Sequence, residues 1–329
     1  MVRWGILGCG SIATHAVAPA IRWSRNGELA AVASRDARTA QEKAARVGAP
    51  RAHGSYDELL ADAGVDAVYL ALPNGLHETW ALRVAEAGKH LLCEKSLALD
   101  AAGARRIAAA FRARGLRLVE GFMFRHHPQW TVVRELLAEG AVGEVRAVRA
   151  GLAGYLASDA DHRWSPELGG GALFDVTCYA VNAARLAVGK EPLRVSGVAR
   201  LHPGGADETT MAVLEFPGGV LASASGSLRA APAQSVAIAG TRGTIALDAP
   251  FIPEWHPVRL RIVATDGAER VVDVQGANHF LHEVEHFASL VEGHTQDPAP
   301  AEDGVGNVAA CAAIARSVRE GRPVDLGAD

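Results

Sequence analysis

The chain has 329 residues, 49% apolar and 21% charged, with a formal net charge of −4 at pH 7. That length suits two domains, each able to bury its own core, and the apolar content excludes a disordered chain. Near-balanced charge leaves no basic footprint for nucleic acid and no polybasic anchor for a membrane, and no apolar run approaches the ~18 residues of a bilayer span.

A strand-like run over 2–7 opens the chain without the charged, apolar and small-residue sequence of a secretory leader, so none is expected. Cys9, Cys93, Cys178 and Cys311 are scattered and lack C-x-x-C spacing, which reads as reduced thiols in a cytoplasm. Further apolar runs over 29–34, 67–71, 90–93 and 116–120 read as buried parallel strands. Helical patterns over 12–22, 37–47, 56–61, 76–87 and 101–114 lie between them, with Gly48, Gly88 and Gly115 closing three. This alternation predicts a doubly wound α/β (Rossmann) domain over 1–120.

After Glu120 the rhythm changes. A helix over 128–139 leads to a strand over 144–150 and a glycine-opened helix over 171–188. Runs with β patterning come next at 193–201, 209–216, 220–228, 235–239, 243–247, 258–264 and 269–274, and helices over 280–292 and 304–320 close the chain. Residues 121–329 are therefore expected to form an α+β domain around an open, mostly antiparallel sheet.

Gly8-Cys-Gly10-Ser-Ile-Ala13 follows the first strand and opens the first helix, the context a G-x-G-x-x-A dinucleotide motif needs. Gly8 permits the tight turn, Gly10 leaves room for the pyrophosphate, and Ala13 lets helix pack on strand. Ser11 and Ile12 complete the turn, whose N–H groups and helix dipole favour phosphate. The second strand ends in Ser34-Arg35-Asp36-Ala37-Arg38. Ser34, Arg35 and Arg38 suit the 2′-phosphate of NADP, while Asp36 leaves room for NAD. The competing reading makes Asp36 or Ser34 a helix cap and the arginines solvated.

Several segments resemble the glucose–fructose oxidoreductase family (Gfo/Idh/MocA) nearly end to end. They are Pro73-Asn-Gly-Leu-His77, the run Ala87-Gly-Lys-His-Leu-Leu-Cys-Glu-Lys95, Glu120-Gly-Phe-Met-Phe-Arg-His-His-Pro128, Gly169-Gly-Gly-Ala-Leu-Phe-Asp175-Val-Thr-Cys-Tyr179, Glu302-Asp-Gly-Val-Gly-Asn307 and Gly321-Arg-Pro-Val324. The helix with Tyr179 resembles the branch that handles sugars and dihydrodiols with NADP. The resemblance implies that Leu72, Pro73, Asn74, His77, Glu94 and Lys95 line the cofactor. It further implies that Arg163, Trp164, Asp175, Tyr179 and Asn182 meet a sugar-like substrate, with assembly as a homodimer or homotetramer through the free face of the C-terminal sheet. A non-catalytic NADP-binding sensor or sugar-responsive regulator is the alternative from another class.

The residues carry part of this independently. Lys95 falls just past the fifth parallel strand, where open α/β sheets place ligands. Asp175, Tyr179 and Asn182 lie at i, i+4 and i+7, a polar stripe on an otherwise apolar helix. Hydride transfer from an alcohol needs a proton acceptor. A tyrosine near pKa ~10 is a poor base until a neighbouring ammonium favours its phenolate, so Lys95 and Tyr179 suit one acid/base device. Asp175 is expected to hold a substrate hydroxyl or orient Lys95. Taken singly, Tyr179 also reads as a core aromatic, Lys95 as a snorkelling side chain and His77 as a helix-start residue. Arg125, His126 and His127 read equally as cleft residues or as a turn before Pro128. The family's Glu-Lys-Pro is Glu94-Lys95-Ser96 here, and a cis bond before a non-proline costs about 2.5–4 kcal/mol, which favours trans.

His282-Glu-Val-Glu-His286 spells the H-E-x-x-H of zinc peptidases. An amphipathic helix buried along Phe280, Val284, Phe287 and Val291 accounts for it without a metal, and no metal is expected.

Overall fold

The strand–helix alternation folds into the expected parallel sheet, and the β-rich remainder into a second sheet. The computed structural model describes residues 1–253, 255–295 and 300–327. They fall into two compact units, 1–126 with 278–305 and 127–277 with 306–329.

In chain order the first stretch gives β1 (Val2–Leu7), a π-helical turn over Ala13–Val17 running into α1 (Ala18–Trp23), β2 (Gly27–Ala33), α2 (Ala37–Val47), β3 (Arg51–His53) and α3 (Tyr56–Ala61). It continues with β4 (Ala67–Leu70), α4 (His77–Glu86), β5 (His90–Glu94), α5 (Ala101–Ala113) and β6 (Leu118–Gly121). Then come α6 (Pro128–Ala138), β7 (Val145–Tyr155), a second π-helical turn over Leu173–Thr177 leading into α7 (Cys178–Val188), β8 (Arg194–Leu201), β9 (Asp207–Glu215) and β10 (Leu221–Ser227). The chain ends with β11 (Arg229–Gly240), β12 (Gly243–Leu247), β13 (Val258–Ala264), β14 (Glu269–Val274), α8 (His279–Val291), α9 (Pro300–Glu320) and β15 (Val324–Asp325).

The first sheet is ordered β3-β2-β1-β4-β5-β6, with every pairing parallel. Strand order reverses between β1 and β4, and the crevice beyond their carboxyl ends is where such sheets bind ligands. Helix ends are fixed locally: Asp36, Ser55 and Asp100 cap α2, α3 and α5 through Thr39, Glu58 and Gly103 N–H groups. Gly48 ends α2 in the left-handed conformation, φ +73°. One apolar cluster joins Trp4, Ile6, Val17, Ile21, Tyr69 and Leu92 to Val284, Phe287 and Leu290 of α8. Trp4 and Phe287 meet with ring centroids 5.1 Å apart.

The second sheet is ordered β14-β13-β12-β11-β7-β10-β9-β8-β15 and is antiparallel except between β7 and β10. Strand alternation buries Val148, Ala212, Leu214, Ala222 and Ala224 on the face against α7 and turns Val198, Met211, Val213 and Leu221 outward. Two expectations need correction. The helices predicted to begin at 12 and 171 are not regular at their starts but open with π-helical turns. The strand expected at 235–239 begins at Arg229, because a register shift between Arg229 and Ala233 carries Pro232 past the ladder.

Candidate active site

Gly8 stands at φ +98°, and a Cβ there would come within 2.6 Å of the Ala71 carbonyl oxygen. The loops after β1 and β4 therefore touch through a position only glycine fills. Gly10 differs: a Cβ there would meet nothing within 4 Å, so open space lies above the turn. Ala13 is fully buried, and Ser11 and Ile12 are exposed beside the open space. Thr14 ties the turn by donating from Oγ1 to the Gly10 carbonyl at 3.1 Å. A tight turn, an uncovered backbone and the following helix start fit a dinucleotide pyrophosphate.

Beyond β2, Asp36 spends its carboxylate on the Thr39 N–H at 2.8 Å, so it acts as the cap of α2. Ser34 is half-buried and Arg35 exposed; among the described residues Arg35 has no carboxylate partner. Arg38 pairs with Glu42 at 2.9 Å one turn further along α2. Arg35 is thus the guanidinium left available beside the ribose end of such a site, and Arg38 is already engaged.

The Pro73–His77 segment grips the backbone after Lys95. Asn74 Oδ1 accepts from the Ser96 N–H at 3.3 Å, and His77 Nδ1 lies 2.7 Å from the Ser96 carbonyl oxygen. His77 Nε2 lies 2.8 Å from the Leu72 carbonyl oxygen, and the ring is fully buried. Burial pushes its pKa below the ordinary histidine value, against the pull of the two carbonyls. Glu120 accepts the next amide, Leu97 N–H, at 2.8 Å. The Lys95–Ser96 peptide itself is cis, contrary to the trans bond that cost alone favours. Lys95 is half-buried, and Glu94 accepts a hydrogen bond from the Tyr69 hydroxyl.

In the second unit, the Gly169–Gly171 run lets the chain turn against itself. A Cβ on Gly170 would collide with the Arg163 carbonyl oxygen, and Gly171 stands at φ +111° against Asp207. Half-buried Asp207 accepts from Leu173 N–H at 2.7 Å and from Thr210 Oγ1 at 2.5 Å, and desolvation raises its pKa. These contacts seat the π-helical turn that carries Asp175. Arg163 Nε pairs with Asp175 at 3.0 Å and also reaches Asp161, so two of the predicted substrate residues form one ion pair. Tyr179, at the head of α7, is 7% exposed and packs edge-on against Phe251 at 5.8 Å.

Two other predicted residues are drawn inward. Asn182 is buried and donates to Asn307 Oδ1 at 3.3 Å. The widened turn alters only the spacing between Asp175 and Tyr179, while Tyr179 and Asn182 share regular α7. Trp164 is buried, donating to the Ser158 carbonyl and lying between His202, stacked at 4.3 Å, and the Arg229 guanidinium at 4.8 Å. Of the histidines before Pro128, His127 is buried and caps α6, and Arg125 pairs with Asp303. Glu120 and Asp207 were missed as positioning groups, since a lone carboxylate at a strand end carries no local signal. On α8 the Glu283 between the histidines is 1% exposed, turned into the core rather than toward His282 and His286 on the surface side. Among the described residues no three His, Cys, Asp or Glu side chains converge as metal ligands would.

Residues 2–122 match the family described as oxidoreductase family, NAD-binding Rossmann fold, and residues 130–246 match the GFO/IDH/MocA C-terminal domain. The chain is similar to a D-xylose 1-dehydrogenase (NADP(+)) of Haloferax volcanii, 35% identical over 99% of this chain and 100% of that one. A trans-1,2-dihydrobenzene-1,2-diol dehydrogenase of Bos taurus is 34% identical over 79% of this chain and 77% of its own length. Among solved structures, a 3-ketoreductase from Actinomadura kijaniata in complex with NADP and TDP-benzene superposes with a TM-score of 0.90 at 31% identity, covering 96% of this chain and 97% of that chain.

Proposed function

Because the chain belongs to the Gfo/Idh/MocA family of oxidoreductases, with its NAD-binding Rossmann fold, we propose that it is an NADP-dependent enzyme acting on sugars, keto-sugars or related polyols and dihydrodiols. The reaction is hydride transfer between nicotinamide C4 and a hydroxyl or carbonyl carbon. The observation that carries this reading is the Gly8–Gly10 turn at the strand-order switch, with open space over Gly10 and exposed Arg35 beyond β2. The similarity to proteins named for NADP, xylose and dihydrodiols supports the choice of cofactor and substrate class.

When bound, the nicotinamide supplies or accepts the hydride. The chain's own part is the proton. Tyr179 Oη takes the proton of the substrate hydroxyl as its carbon is oxidised, or returns it to the carbonyl oxygen in reduction, and the Lys95 ammonium favours the phenolate form. Asp175, already held by Arg163, offers the pair's remaining hydrogen-bonding capacity to a vicinal hydroxyl. Arg35 and Ser34 bind the 2′-phosphate, and Asp36, used as a cap, leaves NAD the poorer cofactor.

Cofactor recognition is assigned to the segment before residue 120, and substrate recognition and assembly to the residues after it, with α8 lending packing to the first sheet. The outward apolar face of β8–β10 is assigned to a homodimer or homotetramer contact, and the four free cysteines suit a cytoplasmic setting. Among the described residues no helix is long and apolar enough to cross a membrane.

The test is a spectrophotometric screen at the nicotinamide band with aldoses, keto-sugars and dihydrodiols, each with NADP(H) and NAD(H). Turnover of at least one class with NADP(H) preferred is the expected result. A flat absorbance across the whole panel, with NADPH binding intact, rejects catalysis in favour of sensing.

A further inference from the structure

His77 has no exposed surface, yet both ring nitrogens face backbone carbonyls of different loops, Ser96 at 2.7 Å and Leu72 at 2.8 Å. A side chain so enclosed touches neither solvent nor ligand directly. What it does touch is the residue after Lys95. Ser96 is held at both polar backbone groups by one segment, its N–H by Asn74 Oδ1 and its carbonyl by the His77 ring. Glu120 fixes the following amide. These three contacts leave the backbone that launches the Lys95 side chain no free hydrogen-bonding group on its Ser96 side.

The chemistry of the ring sharpens this. A neutral imidazole carries one N–H, and a carbonyl only accepts, so a neutral His77 donates to one of its two neighbours at a time. Burial favours that neutral form, and Lys95 adds repulsion against a second positive charge. Around it, α4 packs on β4, β5 and α5, whose ionisable groups include Tyr69, Glu94 and Arg106, the last paired with Glu78 on α4 itself.

We propose that His77 is a positioning residue for Lys95, donating through Nδ1 to the Ser96 carbonyl and thereby fixing where the Lys95 ammonium sits. This rests on the reading of Lys95 as part of the proton-handling device. An ammonium misplaced by about 1 Å forfeits up to about a hundredfold in rate, so the effect falls on turnover rather than on cofactor affinity.

Two amide variants separate the two ring contacts. In His77→Asn the side-chain amide reaches the place of Nδ1 and can restore the bond to Ser96; in His77→Gln it reaches the place of Nε2 and restores only that to Leu72. His77→Phe keeps bulk and removes both. Using D-xylose with NADP+ (or whichever substrate the screen returns), kcat should fall at least about thirtyfold in His77→Phe and His77→Gln. In His77→Asn it should return to within about fivefold of wild type. NADPH affinity, read by fluorescence titration, should stay within about threefold throughout. Without any cofactor, hydrogen exchange at the Ser96 and Leu97 amides should quicken in the Phe and Gln variants and not in Asn.

Equal behaviour of Asn and Gln, wild-type turnover in Phe, or losses that track NADPH affinity overturn the assignment. Lys95→Ala and the Lys95→Ala/His77→Gln double variant distinguish its failure from that of the underlying reading. If Lys95→Ala turns over normally, Lys95 is no proton-handling group and both fall. If Lys95→Ala is crippled and His77→Gln costs the same again on top of it, Lys95 stands and His77 acts elsewhere. The assignment requires the second change to cost nothing further.

Discussion

At the scale of single residues, the proposed preference for NADP rests on Arg35. Its guanidinium is exposed and without a carboxylate partner among the described residues, while Arg38 is held by Glu42. Losing one charge-assisted contact to a phosphate is worth about 1.5–3 kcal/mol, so Arg35→Ala should raise the KM for NADP+ by about 10- to 100-fold. The KM for NAD+ should change less than about threefold. Arg38→Ala should have a much smaller effect, and equal effects of the two would assign them equal roles. For Tyr179, a buried phenol at the head of α7, removal of the hydroxyl alone tests the proton step. Tyr179→Phe should lower turnover at least about a hundredfold with NADPH affinity nearly intact, and wild-type turnover would remove Tyr179 from the mechanism. These proposed roles could be drawn from the sequence because residue type and position, a tyrosine after a triple glycine and an arginine after a second strand, announce themselves locally. The role proposed for His77 could not, since it depends on two carbonyls that the fold brings to opposite edges of one ring.

At the scale of elements, period decided what could be read. β12 and β13 fall where alternation puts them, because buried residues alternate there with more accessible ones. The π-helical turns before α1 and α7 leave no such trace, as a single widened turn is shorter than any period that would reveal it. On α8 the apolar stripe was legible, but the side to which Glu283 turns was not. Its carboxyl is 1% exposed, and burial, with the nearby Glu94 charge, holds its pKa well above the usual range. The folded protein therefore keeps a proton that the unfolded chain sheds above a pKa of about 4.3. Stability falls as pH rises from there through the folded-state pKa, by up to about 1.4 kcal/mol per pH unit. Glu283→Gln, neutral in both states, should match wild type in Tm near pH 4 and exceed it by several degrees at pH 8. A constant Tm difference between the two pH values would show that Glu283 is ionised in the folded protein.

At the scale of the whole molecule, the second sheet presents Val198, Met211 and Leu221 at 70%, 58% and 51% exposure on one continuous face. A lone soluble chain rarely leaves such a face bare, and a stable contact needs about 800 Å² per partner. Light scattering at about micromolar concentration should give a dimer or larger, and Met211→Asp with Val213→Asp should reduce it to a monomer. A monomeric wild type would overturn the assembly. Strand–helix alternation made the parallel sheet legible, since each strand there pairs with a near neighbour in sequence. That α8 packs against Trp4 was not legible, because nothing local to residues 279–291 names its distant partner.

That same packing has a consequence for how the molecule is made. The cluster around Trp4 closes only when Val284 and Phe287 arrive, and residues 127–277 stand in the chain between them and the rest of the first unit. A ribosome adding about 5–20 residues per second needs roughly 8–30 s to cross that interval. For that time the nascent first unit waits with part of its apolar surface uncovered, so its handling by chaperones, and its sensitivity to stalled synthesis, should be decided during the making of the other half.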